Sequence, residues 1–106
     1  MSVKLIAVDV DGTLITSGGQ ITAETKAAFR LADKAGIKLV LSTGRCKVEC
    51  LELLRALPEI RYMINCSGAS VYDLEQDREL YVEGLPMPLL RQMYQAVSSI
   101  ECLFEL

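Results

Sequence analysis

The sequence predicts an α/β fold built on a parallel sheet, and three observations carry that prediction. Two short apolar runs, Leu5-Ile6-Ala7-Val8 and Ile37-Lys38-Leu39-Val40-Leu41, lack the alternation of a half-solvated strand. A segment of helical period lies between them. Acids and hydroxyls stand directly after both runs, at the strand ends where ligands collect in parallel α/β sheets.

Val3 to Val8 reads as the first strand, buried on both faces. Leu14 to Gln20 is a loop marked by Ser17-Gly18-Gly19. Thr22 is a good N-cap, and Glu24 in the first turn suits the helix dipole. Ala27, Ala28, Leu31, Ala32 and Ala35 then recur at helical spacing, and Gly36 supplies the stop. Ile37 to Leu41 is the second strand. Strand, helix and strand with a short return form a βαβ unit, which implies parallel pairing and a right-handed crossover.

Lys47 to Leu57 reads as the second helix, with Val48, Leu51 and Leu54 inward and Pro58 ending it. Arg61 to Asn65 is the third strand. Ser70 to Tyr72 and Glu79 to Val82 form a hairpin joined through Glu75-Gln76-Asp77. Leu85-Pro86-Met87-Pro88 marks a hinge into a second unit. Leu89 to Val97 is a third helix, and Ile100 to Leu106 begins another strand. Residues 1–85 are thus expected to be one unit and residues 86–106 the opening of another.

Composition narrows the function classes. The chain has 106 residues, half of them apolar, and a net charge of −3. Lys and Arg are scattered, so no basic stripe offers itself to nucleic acid. No apolar run reaches the length of a membrane span. Met1-Ser2-Val3-Lys4 leads directly into a strand without a secretory leader, so the expected location is cytoplasmic. The chain has no histidine, which removes Ser-His and Cys-His hydrolase chemistry. Cys46, Cys50, Cys66 and Cys102 form no Cys-x-x-Cys pair. A zinc site would need thiolates or carboxylates alone. The plainer reading is mostly buried, reduced thiols, with Cys46 and Cys50 on one helix face.

The chemistry concentrates in Asp9-Val10-Asp11-Gly12-Thr13. The i, i+2 spacing sends both carboxylates toward one side of a strand end. Gly12 permits a sharp turn that aims N–H groups at an anion. A bare Asp-x-Asp also occurs as a metal-holding pair in nucleotide-sugar transferases and as solvated loop acids. The strand before it and the Gly-Thr after it narrow the field. Thr43-Gly44-Arg45 closes the second strand in a similar way, although Thr-Gly alone is common turn chemistry.

Together the two elements resemble the haloacid dehalogenase (HAD) superfamily of phosphohydrolases, nearest to the Cof-type phosphatases with a large α/β (class IIB) cap. The resemblance runs from about Lys4 to Leu85. It implies a Rossmann-like core with a parallel sheet, here truncated, followed by the start of an α/β cap. It also implies Mg²⁺-dependent hydrolysis of phosphate monoesters of small metabolites, sugar phosphates among them. Asp9 matches the family's nucleophile, which forms an aspartyl phosphate. Asp11 matches the general acid and base. The metal falls to Asp9 and to the main-chain carbonyl of Asp11. Gly12, Thr43 and Gly44 match phosphate-holding positions, while Arg45 fixes the loop or meets substrate. Ser67-Gly68-Ala69 stands where the subgroup carries Asn-Gly-Ala, and a plain turn is the reading for Ser67. Asn65 reads equally as a strand-end backbone partner or a ligand.

The family also uses a lysine beside the nucleophile and a later Gly-Asp-x-x-Asn-Asp-like acidic stretch. No lysine follows Lys47, and no such acidic pattern follows Leu85. The expectation is therefore a chain cut short inside its lid, with Leu5 to Val8 as an exposed apolar edge prone to self-association. An inert phosphate-binding fragment stays open as the alternative to an enzyme. A phosphomutase and a response-regulator-like phosphoacceptor rank below both.

Overall fold

The computed structural model describes residues 2–104. Its centre is a five-stranded sheet in sequence order: β1 (Leu5–Asp9), β2 (Lys38–Ser42), β3 (Ile60–Asn65), β4 (Ser70–Asp73) and β5 (Arg78–Val82). The first three strands run parallel, and β4 and β5 join antiparallel as the expected hairpin. The sheet is therefore mixed, not uniformly parallel. The helices are α1 (Ala23–Lys34), α2 (Leu51–Ala56) and α3 (Met87–Val97).

The β1–β2 register runs from Leu5 opposite Lys38 to Asp9 opposite Ser42. Asp9 and Thr43 therefore reach the same rim of the sheet. Between β2 and β3 the register shifts at Leu39/Val40. Beyond β3, the hairpin turn is held by Asp73, which is buried and accepts the amides of Glu75 and Gln76 at 3.0 Å each. That is Asx-turn chemistry.

The core gathers Leu39 and Leu41 of β2, Ile60 and Met63 of β3, Phe29 of α1, and Val10, Leu14, Cys50 and Leu57 from the connecting segments. Three expectations about facing are corrected. β1 is not buried on both faces. It lies at the sheet edge, and Leu5 is 53% exposed. The apolar face of α1 is not the Ala27, Ala28, Leu31, Ala35 set, all of which are exposed. Thr25, Phe29 and Ala32 face inward instead, because one large ring fills more core than several methyl groups. The expected second helix is broken. A tight turn over Lys47–Cys50 precedes α2, so Val48 and Leu51 face out while Cys50 and Leu57 are buried.

The break also separates Cys46 from Cys50, which do not share a helix face. Of the four cysteines only Cys50 is buried, and Cys102 is exposed. Thr22 caps α1 as expected, its hydroxyl accepting the Thr25 amide at 3.2 Å. α2 ends before Pro58. α3 starts two residues earlier than expected and has no buried residue. Phe104 meets Tyr94 edge-on with ring centroids 5.6 Å apart. The strand expected over Ile100–Leu106 is absent from residues 101–104, and Glu105 and Leu106 lie outside the described residues. Among the described residues, no helix is long and apolar enough to cross a membrane.

The revised α1 facing yields a direct contrast. Phe29→Ala should cost about 3–5 kcal/mol of unfolding free energy. Leu31→Ala should change it by less than about 0.5 kcal/mol. Urea denaturation of both variants measures this, and equal losses would contradict the facing.

Candidate active site

β1 ends at Asp9, and the chain then makes one wide turn over Val10–Leu14, closed by the Ile15 amide on the Val10 carbonyl at 3.3 Å. Val10 and Leu14 are buried and anchor the turn. Asp11 and Gly12 between them leave helical geometry, and Gly12 has φ 74°. That left-handed conformation is strained for any residue with a Cβ. The hydroxyl of Thr13 donates to Asp9 Oδ2 at 3.2 Å.

Beside this turn, β2 delivers Thr43 and Gly44. Thr43 is buried, and its hydroxyl oxygen accepts the Arg45 amide at 3.1 Å. A threonine hydroxyl has one proton to give, and accepting from Arg45 leaves that proton available. The Thr43 carbonyl accepts the Ser67 amide at 3.3 Å, and the Arg45 carbonyl accepts the Cys66 amide at 3.0 Å. The loops after β2 and β3 are thus stitched together. Gly44 leaves room for the Ser67 hydroxyl, since a Cβ there would stand 3.2 Å from Ser67 Oγ.

A shallow cavity of about 300 Å³ opens between these loops, lined by Asp9, Ser42, Thr43, Gly44, Ser67 and Gly68, with Ile64 below. Of the residues singled out from the sequence, Asp9, Thr43 and Gly44 meet there. Ser42 and Ser67 add two hydroxyls that motif reasoning did not assign. The signal for Ser67 was its place just after a strand end, and its φ of 55° is compatible with the turn read there from the sequence. Asn65 is buried at the end of β3, and its Oδ1 has no hydrogen-bond partner among the described residues.

Asp11 does not line this cavity. Its carboxylate takes both arms of Arg45, Nη2 to Oδ1 at 2.6 Å and Nε to Oδ2 at 3.0 Å. Those hydrogen bonds, with a smaller charge–charge contribution opposed by desolvation, hold the Asp11 carboxyl below the usual carboxylate range. The same contacts push the Arg45 guanidinium up. Arg45 also borders a second, polar cavity of about 470 Å³, which includes Gln20, Lys26, Glu49 and Glu52.

The oxygen donors at the turn suit a hard cation. A carboxylate such as that of Asp9 and a main-chain carbonyl such as that of Asp11 are ligand types that Mg²⁺ takes while keeping several waters. They do not complete a shell by themselves. Among the described residues, no group of three or more Cys, Asp or Glu side chains gathers to hold a metal.

Comparison with known proteins shows the family and the fold. The sequence profile of haloacid dehalogenase-like hydrolases matches residues 6–106. The chain is 37% identical over 73 residues to 5-amino-6-(5-phospho-D-ribitylamino)uracil phosphatase YcsE of Bacillus subtilis, covering 69% of the chain and 29% of that protein. It is 33% identical over 93 residues to pyridoxal phosphate phosphatase YbhA of Escherichia coli, covering 88% and 34%. Among solved structures, a haloacid dehalogenase-like hydrolase from Bacteroides thetaiotaomicron superposes with a TM-score of 0.86 at 26% identity, over 92% of this chain and 38% of that one. A haloacid dehalogenase-like hydrolase from B. subtilis gives 0.78 at 33% identity, over 91% and 33%. The subclass IIB sugar phosphatase BT4131 gives 0.75 at 25% identity, over 91% and 37%. The chain spans about a third of the length of the relatives it matches. With the profile matched over nearly its whole length and the same fold around the Asp9 rim, the chain belongs to the haloacid dehalogenase-like hydrolase family.

Proposed function

We propose that the protein carrying this chain is a Mg²⁺-dependent phosphatase. Its substrates are phosphate monoesters of small metabolites, of the sugar-phosphate type, and its intermediate is an aspartyl phosphate. One observation carries the reading: Asp9 ends β1 in register with Ser42, so its carboxylate shares a cavity with Thr43 and Gly44. The named activities of the relatives, each a phosphatase of a small phosphorylated compound, support the substrate class.

In this reading Asp9 attacks phosphorus, an Asp9 Oδ–P bond forms and the ester P–O bond breaks. Asp11 gives its proton to the departing alkoxide. It then takes one from the water that hydrolyses the aspartyl phosphate, which releases phosphate and restores Asp9. Thr43 donates its hydroxyl proton to a phosphate oxygen, and Gly44 keeps the rim open. Gly12 turns the chain so that its amides face the anion. When bound through Asp9 and the Asp11 carbonyl, Mg²⁺ offsets the repulsion between carboxylate and phosphate.

Asp11 must leave Arg45 to act as an acid, because the guanidinium favours the ionised carboxylate. Arg45 is therefore assigned as the group that parks Asp11 between turnovers. Residues 1–85 are assigned to the catalytic core and residues 86–106 to the start of a cap. The gap between β5 and α3, and the lack of buried residues in α3, support that division. The open edge of β1 supports pairing with a further strand or with a second copy. A cytoplasmic setting is in keeping with the reduced thiols.

The inert reading is favoured by one observation: among the described residues, no three acidic or thiol side chains gather to hold a metal. Release of phosphate from an aryl phosphate, with and without Mg²⁺, separates the two. The enzyme reading expects Mg²⁺-dependent turnover that Asp9→Asn lowers on the order of 10⁴-fold or more. No turnover in any tube, or an Asp9→Asn variant within about tenfold of wild type, would reject it.

The Asp11–Arg45 pair gives a second test. By carbon-detected NMR titration the Asp11 midpoint should lie below the ordinary value of about 3.9. It should rise toward that value in Arg45→Gln. The folded value is depressed, so the pair's stabilisation is present above the ordinary carboxyl pKa and is lost as pH falls through the folded one. Identical midpoints in both proteins would show that Arg45 does not control Asp11.

A further inference from the structure

The stitching of the loops after β2 and β3 brings two thiols together. The Cys66 thiol donates to Cys46 Sγ at 3.3 Å. The backbones are tied beside them, with the Cys66 amide on the Arg45 carbonyl at 3.0 Å. The two sulfurs come from residues 20 apart in sequence, so their contact is a product of the fold. Both side chains are half-buried, within reach of a small oxidant. Cys66 also has φ 49°, a left-handed conformation uncommon for cysteine. The other two thiols are set apart. Cys50 is wholly buried in the core, and that burial pushes its thiol up and away from the reactive thiolate. Cys102 is exposed and its thiol lies against the Val97 carbonyl, at the end of α3.

The geometry points to Cys46 and Cys66 as a thiol-modification site, oxidised by a peroxide to a disulfide that joins the two loops of the Asp9 rim. A disulfide needs sulfurs about 2.05 Å apart. Closing the remaining gap asks for side-chain rotation and a small loop shift, because the hydrogen-bonded backbones already lie side by side. The chemistry balances in two steps. One thiol gives two electrons to the peroxide: an S–O bond forms, the O–O bond breaks, and sulfenic acid and water result. The second sulfur then displaces the hydroxyl, so that the S–S bond forms as the S–O bond breaks and a second water leaves with the remaining thiol proton. Two thiols and one peroxide yield one disulfide and two waters.

The bond would have consequences for the rim. Cys66 precedes Ser67, whose hydroxyl stands beside Gly44 in the cavity wall, and Cys46 follows Arg45, which holds Asp11. Covalent closure therefore fixes the wall of the 300 Å³ cavity on the side where both loops meet. A dithiol reductant reverses it.

The test is peptide mapping of the full chain after limited exposure to hydrogen peroxide, once folded and once in denaturant. The expected result in the folded protein is one dominant cross-linked pair, the Cys46 and Cys66 peptides, lighter by two hydrogens and released by dithiothreitol. In denaturant that preference should vanish, with pairs to Cys50 and Cys102 appearing. A Cys50→Ala variant should give the same dominant pair, which guards against misassignment within the peptide that holds both Cys46 and Cys50. Three results would overturn the proposal: thiols that stay reduced or pass to sulfinic acid without pairing, dominant pairing through Cys102 or between chains, or the same Cys46–Cys66 preference in denaturant.

Discussion

The register between β1 and β2 is the constraint on which the site depends. Asp9 lies opposite Ser42, so its carboxylate and the Thr43-Gly44 loop end at the same height. A slip of one residue would turn every β1 side chain to the other face of the sheet. The register is held from β2, whose Leu39, Val40 and Leu41 are all buried, and not from β1, which is largely solvent-exposed. Val10 and Leu14, buried on either side of Asp11 and Gly12, then pin the turn that follows. The Asp9–Thr43 corner is thus positioned by the buried apolar residues on either side of it in the chain.

Arg45 creates a tension inside that corner. A bidentate guanidinium–carboxylate pair is geometrically specific and favours the charged acid. Proton donation to a leaving group needs the opposite state. A pair that is largely exposed to water exchanges more readily than a buried one, since solvent screens each partner. Asp11 lies at the surface of the turn and not inside the cavity, as the proposed mechanism requires of an acid that exchanges Arg45 for a second partner.

Much of this was legible in the sequence. The Asp-x-Asp-Gly-Thr and Thr-Gly-Arg elements located both loops of the rim, because strand ends and turn chemistry are local properties. The Thr22 cap and the β4–β5 hairpin were legible for the same reason. Facing was less so. Ala27, Ala28, Leu31 and Ala35 fit a helical stripe as well as Thr25, Phe29 and Ala32 do, and only the neighbouring strand decides which stripe is covered. The turn at Lys47–Cys50 was hidden because a capped tight turn and a first helical turn have the same composition; here the Cys46 amide donates to Glu49 Oε2 at 2.6 Å. Ser67 was located by its motif but read as a plain turn, and Cys66 was illegible as a site neighbour, since both depend on hydrogen bonds to a loop some twenty residues earlier.

The outermost position of β1 carries one more implication. Its far side presents unpaired backbone groups, and any partner strand docking there lies about 4.8 Å away. If that newcomer runs parallel to β1, its carboxyl end arrives beside Asp9 on the flank opposite Thr43. The cavity that Asp9 shares with Thr43 and Gly44 is then walled from both directions, and side chains at the end of that strand stand one inter-strand spacing from Asp9.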